Sequence, residues 1–281
     1  MKVFIKVDME GLTAVTDPAQ ICPGTEEYGF GRRMLMHDLG AVVEGLMTVE
    51  GTQVVVYDSH AEGRNVDIEC LPPGTKVISG RPTFEDNFCY GLDESFDAMF
   101  LVGAAASLGA PDAVLGRSYD DGIAAVRING MQVGGIVCDA ALAGEFGVPL
   151  AFVSSDAAGA RETHELISDE VETVAVKQAV RETAAICLPP AQTREMLSTA
   201  AARALGKAKE LPPLLFETPT RIEVTFQSPQ GAASMEPSHT ATRTGANSME
   251  FVGERFLSAY RNFVLAHEHR GRAAPPKAAR A

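Results

Sequence analysis

The chain opens on a short apolar, β-forming run, Lys2-Val3-Phe4-Ile5-Lys6-Val7, and meets Gly11 too soon for a stable helix. A strand over Lys2 to Val7 with Asp8-Met9-Glu10-Gly11 as its exit is therefore predicted. From Gly31 to Val49 apolar residues recur at helical spacing (Met34, Leu35, Leu39, Val42, Val43, Leu46), which predicts a helix covering the first sheet. Thr52 to Tyr57 is β-branched and apolar, a second strand that runs into Asp58-Ser59-His60. Strand, helix, strand is a βαβ unit, whose crossover implies parallel pairing and puts Asp8 and His60 on one edge of the sheet.

Further along, Lys76 to Ser79 and Phe96 to Val102 read as strands, the latter followed by the small-residue run Gly103 to Gly109, expected to leave space beside that edge. Ile123 to Ile128 and Met131 to Val133 read as a hairpin joined by Asn129-Gly130, the strongest short-range turn signal in the chain. A helix over Asp139 to Phe146, a strand over Val148 to Val153, a helix from Asp156 to about Ile167 and a strand over Thr173 to Lys177 follow. Thr193 to Leu205 reads as an Ala-rich helix, Arg221 to Phe226 as a strand, and Phe251 to His267 as a strand end plus an amphipathic helix. The pattern is that of an α/β protein. It has a mostly parallel sheet in an N-terminal domain flanked by helices (residues 1–155), a second, smaller α+β domain (156–267) and a disordered tail of Pro, Ala and basic residues (268–281).

Composition narrows the function classes. With 46% apolar and 22% charged residues over 281 positions, the chain is of ordinary globular type and long enough for two domains. No apolar run approaches the length of a membrane span, and the amino terminus enters a strand without a basic leader, so no membrane role and a cytoplasmic location are expected. A formal charge of −13 without a basic stripe argues against nucleic acid. Five widely spaced cysteines without a CxxC suggest free thiols in a reducing compartment.

Chemistry collects at the strand exits. Asp8 and Glu10, two apart at the C-terminal end of a strand, are either a solvated turn or two donors to a shared cation. His60 at the end of the neighbouring strand adds an imidazole. Two carboxylates and an imidazole suit a zinc-type ion with a position left open for water.

The Val7-Asp8-Met9-Glu10-Gly11 stretch, the Tyr57-Asp58-Ser59-His60 turn, Ser79-Gly80, Val126-Arg127-Ile128-Asn129-Gly130, Ala175-Val176-Lys177-Gln178-Ala179 and Phe256-Leu257-Ser258-Ala259-Tyr260-Arg261 together resemble the M55 metallopeptidase family of D-aminopeptidases. The resemblance runs in order to about residue 266. It implies hydrolysis of small peptides or amino-acid amides, a two-zinc centre and a ring-shaped homo-oligomer, a decamer. By this resemblance Asp8 is the bridging aspartate, and Glu10 and His60 are ligands of the first zinc.

The second half of that pattern is altered. Where the family has Gly-Tyr-His, this chain has Gly103-Ala104-Ala105; where it has Val-Gly-Glu, this chain has Val133-Gly134-Gly135; and the family's Asn becomes Asp139. The position of the catalytic His falls on Arg117, which stays protonated and is no general base. One bound zinc is therefore expected in place of two. His37, Asp120, Asp121, Cys138 and Asp139 are the candidates for replacement ligands, against surface or supporting roles. Arg117 is the catalytic candidate: it either grips a substrate carboxylate or a developing oxyanion, or it pairs with Asp8 or Glu10 and closes the pocket electrostatically. Three readings remain. They are a metal-dependent hydrolase of a small peptide or amino-acid amide, a biosynthetic enzyme for condensation or cyclisation on the same scaffold, and a non-catalytic binding homologue.

Overall fold

The protein is described here from a computed structural model, which covers residues 1–80, 89–117, 122–235 and 241–273. In chain order its elements begin with β1 (Lys2–Val7), α1 (Tyr28–Met47), β2 (Gln53–Asp58), β3 (Thr75–Ile78) and β4 (Ala98–Val102). There follow β5 (Ile123–Ile128), β6 (Met131–Val133), α2 (Gly135–Glu145), β7 (Leu150–Asp156), α3 (Ala157–Leu166), β8 (Glu172–Arg181), β9 (Ala184–Cys187) and α4 (Pro190–Lys207). The last are β10 (Thr220–Phe226), α5 (Pro229–Ala233), β11 (Ala241–Arg243), β12 (Ser248–Gly253) and α6 (Phe256–Ala273).

Two compact units divide these elements. The first holds residues 1–82, 89–117 and 134–215; the second holds 83–88, 118–133 and 216–281. The two units interleave in sequence. The boundary expected after residue 155 falls inside β7, a strand of the first unit paired to β4 and to β8, so the sheet continues past it. The expected tail begins as helix, since α6 runs to Ala273. The rest of that tail lies outside the described residues.

In the first unit seven strands are ordered β3-β2-β1-β4-β7-β8-β9. All neighbours pair parallel except β8 and β9. The α/β reading with a mostly parallel sheet thus holds. Strand alternation sorts β1 between two faces. Val3, Ile5 and Val7 join Leu35, Leu39 and Val42 of α1 and Leu197 and Ala201 of α4 in one apolar core. Phe4, Lys6 and Asp8 occupy the other face, where Phe4 meets Phe96 edge-on at a ring separation of 5.3 Å. The apolar spacing of α1 is what lets it cover the sheet, as expected.

The second unit is built on an antiparallel sheet ordered β11-β12-β10-β5-β6. Its β5–β6 hairpin turns at Asn129 (φ 49°) and Gly130 (φ 86°), two consecutive left-handed residues. Asn and Gly are the residues that tolerate this geometry, so the dipeptide specified the turn. Among the described residues no helix is long and apolar enough to cross a membrane.

Candidate metal centre

The Asp8–Gly11 exit is fixed by backbone pairing to the end of β4. The Asp8 amide donates to the Val102 carbonyl and the Gly11 amide to the Gly103 carbonyl, each at 2.9 Å. The approach is so close that a Cβ on Gly11 would overlap the Ala104 carbonyl oxygen, and one on Gly103 the Asp8 carbonyl oxygen. At Gly103, the first of the small residues after β4, the missing Cβ thus serves tight backbone packing. From the other side Lys177, buried in β8, donates from its ammonium to the carbonyls of Glu10 (2.6 Å), Leu12 (3.0 Å) and Val15. Burial lowers the Lys177 pKa to about 8, the pull of Asp156 and other acids notwithstanding.

His60 is held by the loop after β2. Ser59 donates from its amide (3.1 Å) and hydroxyl (2.8 Å) to the Val7 carbonyl, which ties this loop to β1. Asp58 accepts from the Asn65 and Val66 amides, and the Asn65 side chain bridges Asp58 to the His60 carbonyl. The imidazole Nε2 lies 2.7 Å from the Ile21 carbonyl oxygen, which can only accept. That contact keeps a proton on Nε2 and turns Nδ1 toward the carboxylates.

Asp8, Glu10 and His60 thus converge, each offering one ligand atom within 4.8 Å of the others. His60 Nδ1 is 2.8 Å from Asp8 Oδ1 and 3.6 Å from Glu10 Oε2. Glu10 is 1% exposed, and its Oε2 is buried without a hydrogen-bond partner. A buried carboxylate oxygen left without a donor is costly, so it fits a position where a cation belongs. The other oxygen, Oε1, accepts from Arg117 Nη1 at 2.7 Å.

Arg117 reaches Glu10 because the segment after β4 is pinned along its length. Ser107 donates twice to the buried Glu162, the Val114 amide donates to Asp156 at 2.6 Å, and the Arg117 amide donates to Ala106 at 2.9 Å. Of the two roles left open for Arg117, pairing with Glu10 is the contact observed.

Electrostatics follow from this crowding. Burial alone would deprotonate His60, but hydrogen bonds and charge from Asp8 and Glu10 push its pKa up to about 11. Burial would raise Glu10, yet His60 and Arg117 outweigh it and hold the carboxyl well below its usual range. Burial and the neighbouring Glu10 charge raise Asp8.

Among the described residues, none of the others singled out in the sequence joins this cluster. His37 bonds Asp38 and the Pro190 carbonyl, both at 2.9 Å, and Asp38 in turn accepts the Thr13 amide. Cys138 is buried in α2. Both oxygens of Asp139 are engaged by Lys6. Asp120 and Asp121 lie outside the described residues. Two lysines escaped the sequence reading, Lys6 and Lys177. The signal was available, since each is a charged residue inside an otherwise apolar, sheet-forming run.

The chain is 30% identical to the D-aminopeptidase of Bacillus subtilis (strain 168) over 272 residues, covering 95% of this chain and 97% of that protein. Its fold superposes with a TM-score of 0.91 on a solved structure described as "Zn-dependent D-aminopeptidase DppA from Bacillus subtilis, a self-compartmentalizing protease". That match has 28% identity and covers 98% of this chain and 100% of the other. The Peptidase_M55 family, described as D-aminopeptidase, matches residues 1–265. Since that match takes in both units and every residue of the carboxylate–imidazole cluster, the chain belongs to the M55 family of D-aminopeptidases.

Proposed function

We propose that this protein is a zinc-dependent hydrolase of the D-aminopeptidase type that acts on a small peptide or amino-acid amide with a single ion held by Asp8, Glu10 and His60. The observation that carries this reading is the buried Glu10 Oε2, which accepts no hydrogen bond and lies 3.6 Å from His60 Nδ1, in a cluster with an imidazole already oriented by Ile21. A zinc ion in such a place supplies Lewis acidity and lowers the pKa of a bound water. The chain's own residues do the rest. Ile21 fixes the His60 tautomer, Lys177 holds the turn that carries Glu10, and Arg117 helps to keep Glu10 ionised.

Arg117 also supports a second reading, because it stands where the resemblance calls for a histidine and is bonded to Glu10. A guanidinium there cannot take up a proton, which favours a changed chemistry such as condensation or cyclisation on the retained scaffold. The discriminating experiment is turnover of D-amino-acid amides and D-alanyl peptides by protein loaded with zinc. Slow hydrolysis, abolished by chelator and by His60→Ala, is expected. Robust hydrolysis would show that proton transfer does not need the missing histidine. No hydrolysis by zinc-loaded protein would favour the altered chemistry or a binding role.

We further propose a homo-oligomer, on the likeness to a self-compartmentalizing protease.

A further inference from the structure

The strand face that carries Asp8 bears another charge two residues earlier. Lys6 donates from its ammonium to both carboxylate oxygens of Asp139, at 2.8 and 2.6 Å. Asp139 is the one charged residue among the buried positions of α2, and Cys89 Sγ also reaches it, at 3.6 Å. The two side chains are only 16% and 9% exposed. Buried ion pairs contribute little net stability compared with apolar residues of similar size, so the pair needs a reason other than packing. Two residues apart at the end of β1, Lys6 and Asp8 project from the same side of the chain, so the clamped ammonium stands on the face that carries the candidate ligands.

We propose that Lys6, clamped by Asp139, is the fixed cation that limits the Asp8–Glu10–His60 centre to one divalent ion. The inference rests on reading that cluster as a metal site. Charge counting among the described residues supports it. With His60 as a neutral ligand, Asp8, Glu10 and Arg117 sum to one negative charge, and a single dication turns this to one positive. The Lys6–Asp139 pair adds no net charge, but it withdraws both oxygens of Asp139 from any ion and sets an ammonium on the ligand face. A second dication would add two more positive charges with no further carboxylate of the described cluster to meet them, in a site where such repulsion is poorly screened. Lys6 is thus a positioning residue for the centre's charge and not a group that touches substrate.

The test is zinc titration of the metal-stripped full chain by calorimetry, with elemental analysis, for the wild type, Lys6→Met, Asp139→Asn and the double variant. Wild type should bind one ion per chain. Lys6→Met, which frees Asp139 and removes the repulsion, should bind zinc at least about ten-fold tighter; Asp139→Asn, which leaves the ammonium unpaired, should bind at least about ten-fold weaker; the double variant should return toward the wild type. A purely structural pair would shift thermal unfolding in all three variants without producing that order of affinities. If Lys6→Met does not fold, Asp139→Asn and the double variant carry the same comparison. Two ions in the wild type, or affinities unmoved by either single change, would overturn the inference while leaving the metal site in place. No ion in the wild type would overturn the metal reading and this inference with it.

Discussion

His60 and Ile21 are joined through the imidazole Nε2 and the backbone carbonyl oxygen at 2.7 Å, a contact that commits the other ring nitrogen to the carboxylates. Without metal, Nδ1 holds a proton between Asp8 and Glu10, and the imidazolium persists to about pH 11. Zinc must displace that proton. Binding between pH 7 and 9 is therefore expected to release about one proton per ion, read from calorimetric heats in buffers of different ionisation enthalpy. Heats independent of the buffer would show that His60 is not the displaced acid.

The same shift makes the metal-free fold sensitive to alkali. The folded pKa of His60 lies above its ordinary 6.5, so its contribution is complete below pH 6.5 and declines as pH rises toward 11. Lys177, whose folded pKa falls to about 8, acts in the opposite sense above that pH. The His60 signal is therefore cleanest between pH 6.5 and 8. Thermal midpoints of the metal-free protein should fall across that window. The slope should be shallower in His60→Asn, where His37, also raised by its bond to Asp38, remains. Equal slopes in the two proteins would remove His60 as the source.

Gly11→Ala should destabilise the protein by about 1–3 kcal/mol or more, because the added methyl overlaps the Ala104 carbonyl and the turn must shift against β4. Denaturant unfolding measures the loss, and zinc affinity should drop with it, since Glu10 rides on the same turn. A variant of unchanged stability would mean that the approach of Gly11 to Ala104 is looser than described.

Lys177→Met removes the shared donor of three carbonyls. Leaving buried carbonyls without donors costs about 1–3 kcal/mol each, so a loss of several kcal/mol in denaturant unfolding is expected. Should this variant unfold near the wild-type midpoint, water or another donor has replaced the ammonium.

Arg117→Met leaves Glu10 with one fewer positive partner. Loss of one partner from a fully buried pair costs about 3–5 kcal/mol, but Arg117 is 47% exposed, so about 1–2 kcal/mol is expected for the metal-free protein. Bound zinc should restore most of it. If zinc gives this variant no more protection than it gives the wild type, Glu10 does not face the ion.

Much of this was readable from the chain. β-branched runs, helical apolar spacing and the Asn129-Gly130 turn act through neighbours in sequence, and the parallel pairing of β1 with β2 follows from the helical crossover between them. Asp8, Glu10 and His60 stood out because carboxylates and imidazole ended strands. What escaped depends on distant partners. Lys6 meets Asp139 across 133 residues, and Lys177 meets Glu10 across 167. The short β9, α5 and β11 carry too few residues for a period to show. The close approach at Gly103 escaped because it depends on the Asp8 carbonyl, 95 residues away in sequence.

Lys177 gives the chain an order of assembly. Asp8, Glu10 and His60 all emerge from the ribosome well before β8, so a nascent chain halted ahead of residue 177 already holds the three donors, but not the ammonium that gathers the carbonyls behind Glu10. The proposed ion site is then finished only by the docking of β8, so it belongs to a chain made past residue 177 and not to its first sixty residues.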